Sequence, residues 1–189
     1  QSIADMMIET FPNPLINAHK KVLNHYQGDM TSIPARSMLS CNPEGPLVIN
    51  VVKQYANGDG TKFLCLGRIY SGTVRAGDRV RVLGEQYSST DDDEDMGIAT
   101  ITNILIGQAL YTIDIDIATV GSIVLLEGID QHVVKTATVT HLTSANEECS
   151  DVEIFAPLKF DTEANMKVAV EPLKPSELPK MVEALRRAS

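Results

Sequence analysis

Short runs of apolar and β-branched residues, separated by glycines, most constrain how this chain can fold. Residues 47–55 form a nearly continuous run of this kind, and the turn-rich residues 56–60 lead into a second run from Lys62. Residues 79–82 alternate, and residues 111–117 set Tyr and Ile against Thr and Asp, so each has one apolar and one solvated face. The pattern predicts antiparallel β structure, beginning with a hairpin.

Further strands are expected at residues 122–126 and 133–142, and glycines punctuate the runs throughout. These are Gly67, Gly72, Gly77, Gly84, Gly107, Gly121 and Gly128. Seven or so short antiparallel strands are typical of a closed barrel or a sandwich. We favour a mainly β chain built on an antiparallel β-barrel, because closure leaves no strand edge open to aggregation.

Helical patterns lie at both ends of the chain. Four apolar residues share one helical face near the start: Ile3, Met6, Met7 and Phe11. Pro12 and Pro14 follow them, and Ser2 offers less than one turn of lead-in, so we expect an uncapped helix that continues from something upstream. The alternative is a natural terminus that frays.

The last part of the sequence combines two strand-like runs, residues 154–160 and 166–170, with one helix. Ser176 is a candidate cap for that helix, whose apolar stripe consists of Leu178, Met181, Val182 and Leu185. Two strands and a helix cannot enclose a core. We therefore expect a module that is cut short and a sequence that is a piece of a longer protein.

Composition excludes several classes of function. With 189 residues and 43% hydrophobic side chains the chain can bury a core, and it has no apolar run of membrane-spanning length. The formal charge is −9, and residues 1–164 carry 22 acidic against 11 basic side chains, which disfavours broad nucleic-acid binding. The three cysteines have no paired spacing, which argues against a zinc site or a disulfide framework and favours a reducing compartment.

No motif indicates catalysis. Residues 58–62 lack the order of a phosphate-binding loop, and the four histidines have no metal-ligand spacing. Asp114 and Asp116 are interpreted as the solvated face of a strand, and Cys65 as a core residue. We therefore expect no catalytic residue, no metal and no cofactor site in this chain.

One acidic run interrupts the strands, made of Asp91, Asp92, Asp93, Glu94 and Asp95. Self-repulsion predicts an extended solvated loop. The functional alternative is an electrostatic latch for a basic patch on a partner protein.

The glycine-rich hairpin at residues 67–84, with residues 120–131 and 134–138, resembles the second domain of translational GTPases. Residues 157–181 resemble the opening of the third domain in the elongation factor two group, and the first helix with residues 12–14 resembles the exit from the GTPase domain. The resemblance implies three parts. Residues 1–24 would end the GTPase-domain helix and linker, residues 25–152 would form the barrel, and residues 153–189 would start a ferredoxin-like third domain.

Within that group, residues 82–87 with the acidic run, residues 134–140 and residues 155–162 resemble the spliceosomal large GTPases of the U5 small nuclear ribonucleoprotein. This resemblance implies a nuclear scaffold and conformational relay between the GTPase domain and downstream domains during spliceosome activation and disassembly. The parent protein would bind GTP through a domain absent from this sequence, so the chain itself should neither bind GTP tightly nor hydrolyse it. Expected partners are the largest U5 scaffold protein and, through the particle, snRNA, but no membrane.

Arg68 and Ser71 are the candidate contact residues, because they lie in the matching hairpin beside a glycine that lets another backbone approach. The alternative for Arg68 is that its aliphatic stem covers the barrel end. Two other functions stay open: a ribosome-binding second domain of elongation factor two, and a free-standing barrel that binds single-stranded nucleic acid.

Overall fold

The computed structural model describes residues 2–56, 62–88, 95–108, 111–142, 152–158 and 165–188. The chain divides into two compact units, residues 1–156 and 157–189. Each unit is described by itself below.

The first unit contains three helices followed by ten strands among its described residues. The helices are α1 Ile3–Thr10, α2 Pro14–His25 and α3 Ile33–Leu39. The strands are β1 Val48–Ala56, β2 Phe63–Ser71, β3 Thr73–Arg75, β4 Arg79–Leu83, β5 Met96–Thr100, β6 Asn103–Gln108, β7 Tyr111–Ile115, β8 Ile117–Thr119, β9 Ile123–Glu127 and β10 Ala137–His141. A 3₁₀ turn, Asp130–His132, lies between β9 and β10.

The strands form a barrel because residues 101–102 join β5, at one end of the strand order, to β6, near the other end. Eight strands pair antiparallel in the order β5, β4, β10, β1, β2, β9, β6, β7. β5 and β6 are consecutive in the chain, and between them Ile101 N–H donates to Asp78 while Thr102 N–H donates to Glu127. The sheet therefore closes through β5 and β6, and β7 extends beyond the closure as an added strand.

A two-stranded ribbon of β3 and β8 pairs apart from the main sheet. The turn from β2 into β3 requires Gly72, whose φ is +80° and whose added Cβ would lie 2.7 Å from the Leu47 Cα. Alternate residues of the strands point inward and form the barrel core, in which Ile49, Ile69 and Leu126 have no exposed surface.

The second unit contains the 3₁₀ turn Pro175–Glu177 and α4 Leu178–Ala188. The helix predicted there is confirmed, but Ser176 lies inside the 3₁₀ turn rather than before the helix as its cap. Residues 166–170 form no strand in the described part of this unit, so the prediction of a strand there is wrong. A strand needs a neighbouring strand to exchange backbone hydrogen bonds with, and none of the described residues of this unit provides one.

The prediction of a mainly β antiparallel barrel is confirmed, whereas three further local predictions, in the first unit and at its end, are wrong. Ser2 does cap α1, because its hydroxyl accepts from Asp5 N–H while the Asp5 carboxylate accepts from Ser2 N–H. Residues 14–25 form a helix where only a linker was expected, since Asn13 caps it and Pro14 is its first residue. The strand-like run 154–160 makes only an isolated bridge, at Phe155, in its described residues.

Candidate functional site

Arg68 lies in the middle of β2, opposite Asn50 of β1 and Ile123 of β9. The side chain is half buried, and its guanidinium carbon lies 5.2 Å from the centroid of the Tyr70 ring. Burial raises the pKa of Tyr70, and the positive charge of Arg68 partly offsets that rise. The Arg68 guanidinium therefore lies over the Tyr70 ring, and part of the side chain remains exposed to a partner. Its interface role stays a prediction.

Ser71, the other predicted contact residue, lies inside the protein at the end of β2. It has no exposed surface, and its hydroxyl oxygen has no hydrogen-bond partner in the part of the chain that the structure describes. The oxygen points toward Gly45, where an added Cβ would lie 2.8 Å from it. A partner cannot reach Ser71 in this conformation, because Ser37 and Gly45 pack around the position.

Most of the predicted acidic latch, residues 91–94, lies outside the described residues. Asp95 is described, and its groups are used within the chain: a carboxylate oxygen accepts from Gln86 N–H at 2.9 Å, and its carbonyl accepts from Gly84 N–H at 2.8 Å. Glu85 fixes the same region to the start of β10, since it accepts from both the N–H and the hydroxyl of Thr136. Asp95 thus closes the base of the acidic segment.

A second apolar cluster covers the outer surface of the barrel. We call it the flank cluster: Val22, Tyr26, Ala35, Met38, Val48, Tyr70, Leu83, Tyr87, Val152, Ile154 and Phe155, all buried. Its members come from α2, the residue that follows α2, and α3, from β1, β2, β4 and the loop after β4, and from residues 152–155. The chain that enters the barrel and the chain that leaves it therefore share one core.

Hydrogen bonds join the two flanks of the barrel, which are the end of α2 with residues 26–27 and residues 152–156. Gln27 N–H donates to the Ile154 carbonyl at 3.1 Å, Glu153 N–H donates to the Tyr26 hydroxyl at 3.0 Å, and Ala156 N–H donates to the His25 carbonyl. The Tyr26 and Phe155 rings contact each other, with centroids 5.5 Å apart.

A further bond ties residues 152–156, which we call the exit segment, to the barrel itself. Phe155 N–H donates to the buried Thr138 hydroxyl of β10 at 3.0 Å. The entering chain, the leaving chain and the barrel are thus bonded into one assembly.

The structure also places one buried thiol and answers the question of a metal cluster for the described residues. Burial, with a contribution from Asp130, raises the pKa of Cys65 to about 12, so its thiol stays protonated at neutral pH. No three His, Cys, Asp or Glu side chains of the described ranges are placed to hold a metal ion. Among the helices that the structure describes, none has the length and apolar character that crossing a membrane requires.

The flank cluster was missed in the sequence, although a signal for it exists. Ala18, Val22 and Tyr26 are spaced four apart behind Asn13 and Pro14, which is a helix start followed by an apolar stripe. The pairing of that stripe with residues 152–155 joins positions more than 120 residues apart in the chain, and no local pattern predicts it.

Comparison with known proteins relates the chain to elongation factors and to splicing proteins. Residues 62–140 match the family described as elongation factor Tu domain 2. The chain is 47% identical over 185 residues to the 109 kDa U5 small nuclear ribonucleoprotein component GFL of Arabidopsis thaliana, covering 98% of this chain and 18% of that protein. It is 46% identical, with the same coverage, to the 110 kDa U5 component CLO of the same plant.

The chain is also 39% identical over 180 residues to the pre-mRNA-splicing factor cwf10 of Schizosaccharomyces pombe, covering 94% of this chain and 18% of that factor. It therefore spans less than a fifth of the length of these curated relatives. The resemblance to the spliceosomal branch of the elongation factor two group, stated from the sequence motifs, is confirmed.

Proposed function

Because this chain is homologous to part of the U5 small nuclear ribonucleoprotein components and carries an elongation factor Tu domain 2, we propose that it serves pre-mRNA splicing as a scaffold and conformational relay. Its matched region is this second domain and not a GTPase domain. In this proposal the longer parent protein binds GTP elsewhere and works in the nucleus, during activation and disassembly of the splicing particle. The chain itself passes on movement and does no chemistry.

The flank cluster is the observation that carries the relay. A conformational signal crosses a domain only if the segments that enter and leave it have coupled positions. Here the end of α2 and residues 152–156 share backbone hydrogen bonds and a buried apolar core on a closed barrel. A displacement of α2 would therefore move the exit segment directly.

The proposed partners are those of a splicing particle, since the relatives are named as U5 components and as a splicing factor. We expect the largest U5 scaffold protein to be the main protein neighbour and snRNA to be nearby in the particle. Arg68 and the acidic run, residues 91–95, are proposed as candidate interface residues, with the second Asp95 carboxylate oxygen free of the Gln86 bond.

A chimera tests the proposal within a whole protein. The matching segment of cwf10 would be replaced by this chain, and the chimera assayed in fission yeast for entry into the U5 particle and for intron removal. We expect the unmodified chimera to enter the particle. The pair Tyr26→Phe and Thr138→Val removes two bonds of the flank cluster, and should lower intron removal several-fold without lowering the amount of chimera in the particle.

The matched control is Tyr55→Phe with Thr119→Val, which removes the same two chemical groups from exposed positions on the strands. The variant pair Tyr26→Phe with Thr138→Val should also accelerate hydrogen exchange at residues 152–156. If exchange is accelerated while intron removal stays normal, the relay role is contradicted and the scaffold role is not. Failure of the unmodified chimera to enter the U5 particle would contradict the scaffold. Capture of ribosomes instead would favour the alternative of a translational second domain.

A further inference from the structure

The hairpin of β6 and β7 carries an apolar face that begins in the barrel core and ends in solvent. Ile104 pairs with Ile115, Ile106 with Ile113 and Gln108 with Tyr111. Ile104 is fully buried, whereas the exposed fraction reaches 46% at Ile113 and 75% at Tyr111. The apolar surface of the interior therefore continues onto an exposed strand.

β7 is also the last strand in the order of the main sheet. One of its two edges pairs with β6, and no strand among the described ranges pairs with the other edge. Such an edge presents backbone N–H and C=O groups to any extended chain that lies beside it. An exposed apolar face beside an open edge is the arrangement that strand addition uses.

The stretch of sequence that contains this hairpin is acidic, although Arg75 of β3 lies opposite Ile117, two residues beyond the end of β7. Residues 82–134 contain no Lys or Arg and include ten Asp or Glu. Asp114 lies on the face of β7 opposite to Ile113 and accepts from the Asn103 amide at 2.7 Å. Asp116 follows β7 in the bend before β8. A strand added to β7 would thus have apolar side chains beside one face and the Asp114 carboxylate beside the other.

We propose that the open edge of β7 binds an extended segment of a partner protein in which Lys or Arg alternates with aliphatic residues. Side chains of an added strand alternate between the two faces of the sheet. Its aliphatic residues would lie beside Ile113 and Tyr111, one cation would lie beside Asp114, and another would approach Asp116 just beyond the end of the strand. A nucleic-acid occupant is disfavoured, because phosphates are repelled by this acidic surface.

This site is independent of the proposed relay, because β7 contributes no residue to the flank cluster. A failed relay test would therefore leave it standing.

The test uses the 189-residue chain and a synthetic peptide, acetylated and amidated, that alternates four lysines with three valines. Binding is measured by fluorescence anisotropy, and its place by amide shifts in NMR spectra. We expect the largest shifts in β7, and at least a tenfold weaker Kd with glutamate in place of lysine. Two further peptides are methylated on alternate backbone nitrogens, one on the odd-numbered and one on the even-numbered residues. Only one of these two sets of N–H groups faces β7, so methylation should abolish binding in one peptide and not in the other.

Variants locate the site on the protein. Tyr111→Thr with Ile113→Thr keeps β-forming residues while removing the apolar face, and should weaken binding at least tenfold. Asp114→Asn with Asp116→Asn should weaken binding and reduce its dependence on salt, since two charges are lost while side-chain shape is kept. Ile98→Thr is the matched control, because Ile98 on β5 is 47% exposed, and it should leave the Kd unchanged.

Several results would overturn the proposal. These are equal binding of the glutamate peptide, no effect of methylation in either register, and displacement of the peptide by a uridine oligonucleotide. Sedimentation that gave a dimer, lost with Ile113→Thr, would instead assign the edge to a second copy of the chain. If the threonine pair fails to fold by circular dichroism, the asparagine pair still decides the matter.

Discussion

At the scale of single residues, two buried hydroxyls have opposite environments. Thr138 is buried in β10 and accepts from Phe155 N–H, so it satisfies a backbone donor of the exit segment. Ser71 is buried at the end of β2, and its oxygen has no partner among the described residues. A buried polar group stabilises a protein when it is paired and destabilises it when it is not. Replacing each hydroxyl should therefore have effects of opposite sign.

We predict that Thr138→Val lowers the free energy of unfolding by about 1–3 kcal/mol, because it leaves the Phe155 N–H buried without an acceptor. Ser71→Ala should leave that free energy unchanged or raise it by up to about 1 kcal/mol. Urea unfolding followed by circular dichroism measures both. Thr138→Ser is the control, since it keeps the acceptor. A clear loss of stability with Ser71→Ala would mean that the Ser71 hydroxyl does have a partner.

At the scale of elements, the first two helices differ in what they bury. Both have a side-chain cap, Ser2 for α1 and Asn13 for α2. No residue of α1 is buried, whereas α2 buries Ala18 and Val22 against the rest of the first unit. The stability of the whole unit should therefore depend on the α2 cap and not on the α1 cap.

We predict that Asn13→Ala lowers the free energy of unfolding by about 1 kcal/mol, the usual effect of losing an N-cap. Ser2→Ala should change it by less than about 0.5 kcal/mol, because fraying α1 exposes no core. Urea unfolding of both variants makes the comparison. Equal losses of unfolding free energy at the two positions would mean that α1 unfolds together with the core as α2 does, which would contradict this prediction.

Elements whose patterns are local were predicted well. β1, β4 and β9 were predicted from their apolar runs to within a few residues, since strand periodicity and glycine punctuation are properties of the sequence itself. The predicted run of residues 111–117 divides at Asp116, where the chain leaves β6 and pairs with β3 through β8. That division depends on which strands become neighbours, and a local pattern does not contain this information.

The candidate site was less predictable than the barrel. Arg68 was proposed from a motif and stays a prediction, whereas the burial of Ser71 follows from the packing of Gly45 and Ser37 against the end of β2. Tyr26 and Phe155 gave no chemical signal in the sequence, because apolar residues near strand-like runs fit any core. Their role arises only when the two flanks meet.

At the scale of the whole molecule, the end of the first unit is decided by packing. The first compact unit runs to Ala156, and the expectation that the second domain ends at residue 152 stays a prediction. Ile154 and Phe155 are buried in the flank cluster, and the bonds of Gln27 and His25 to residues 154 and 156 belong to the same cluster. These residues should therefore be necessary for the first unit to fold.

We predict that a chain ending at Ala156 keeps the thermal unfolding midpoint of the first unit, whereas a chain ending at Ser150 has a lower midpoint. Burying the side chains of Ile154 and Phe155 contributes roughly 1.5–3 kcal/mol each, and a loss of this size lowers the midpoint by roughly 10 °C in a unit of this length. Calorimetry of the two chains measures the difference, and a hydrophobic dye should bind only the shorter one because its flank cluster is open. Equal midpoints would mean that the exit segment lies on a barrel that is complete without it, and the mechanical coupling proposed for the two flanks would then have no energetic basis.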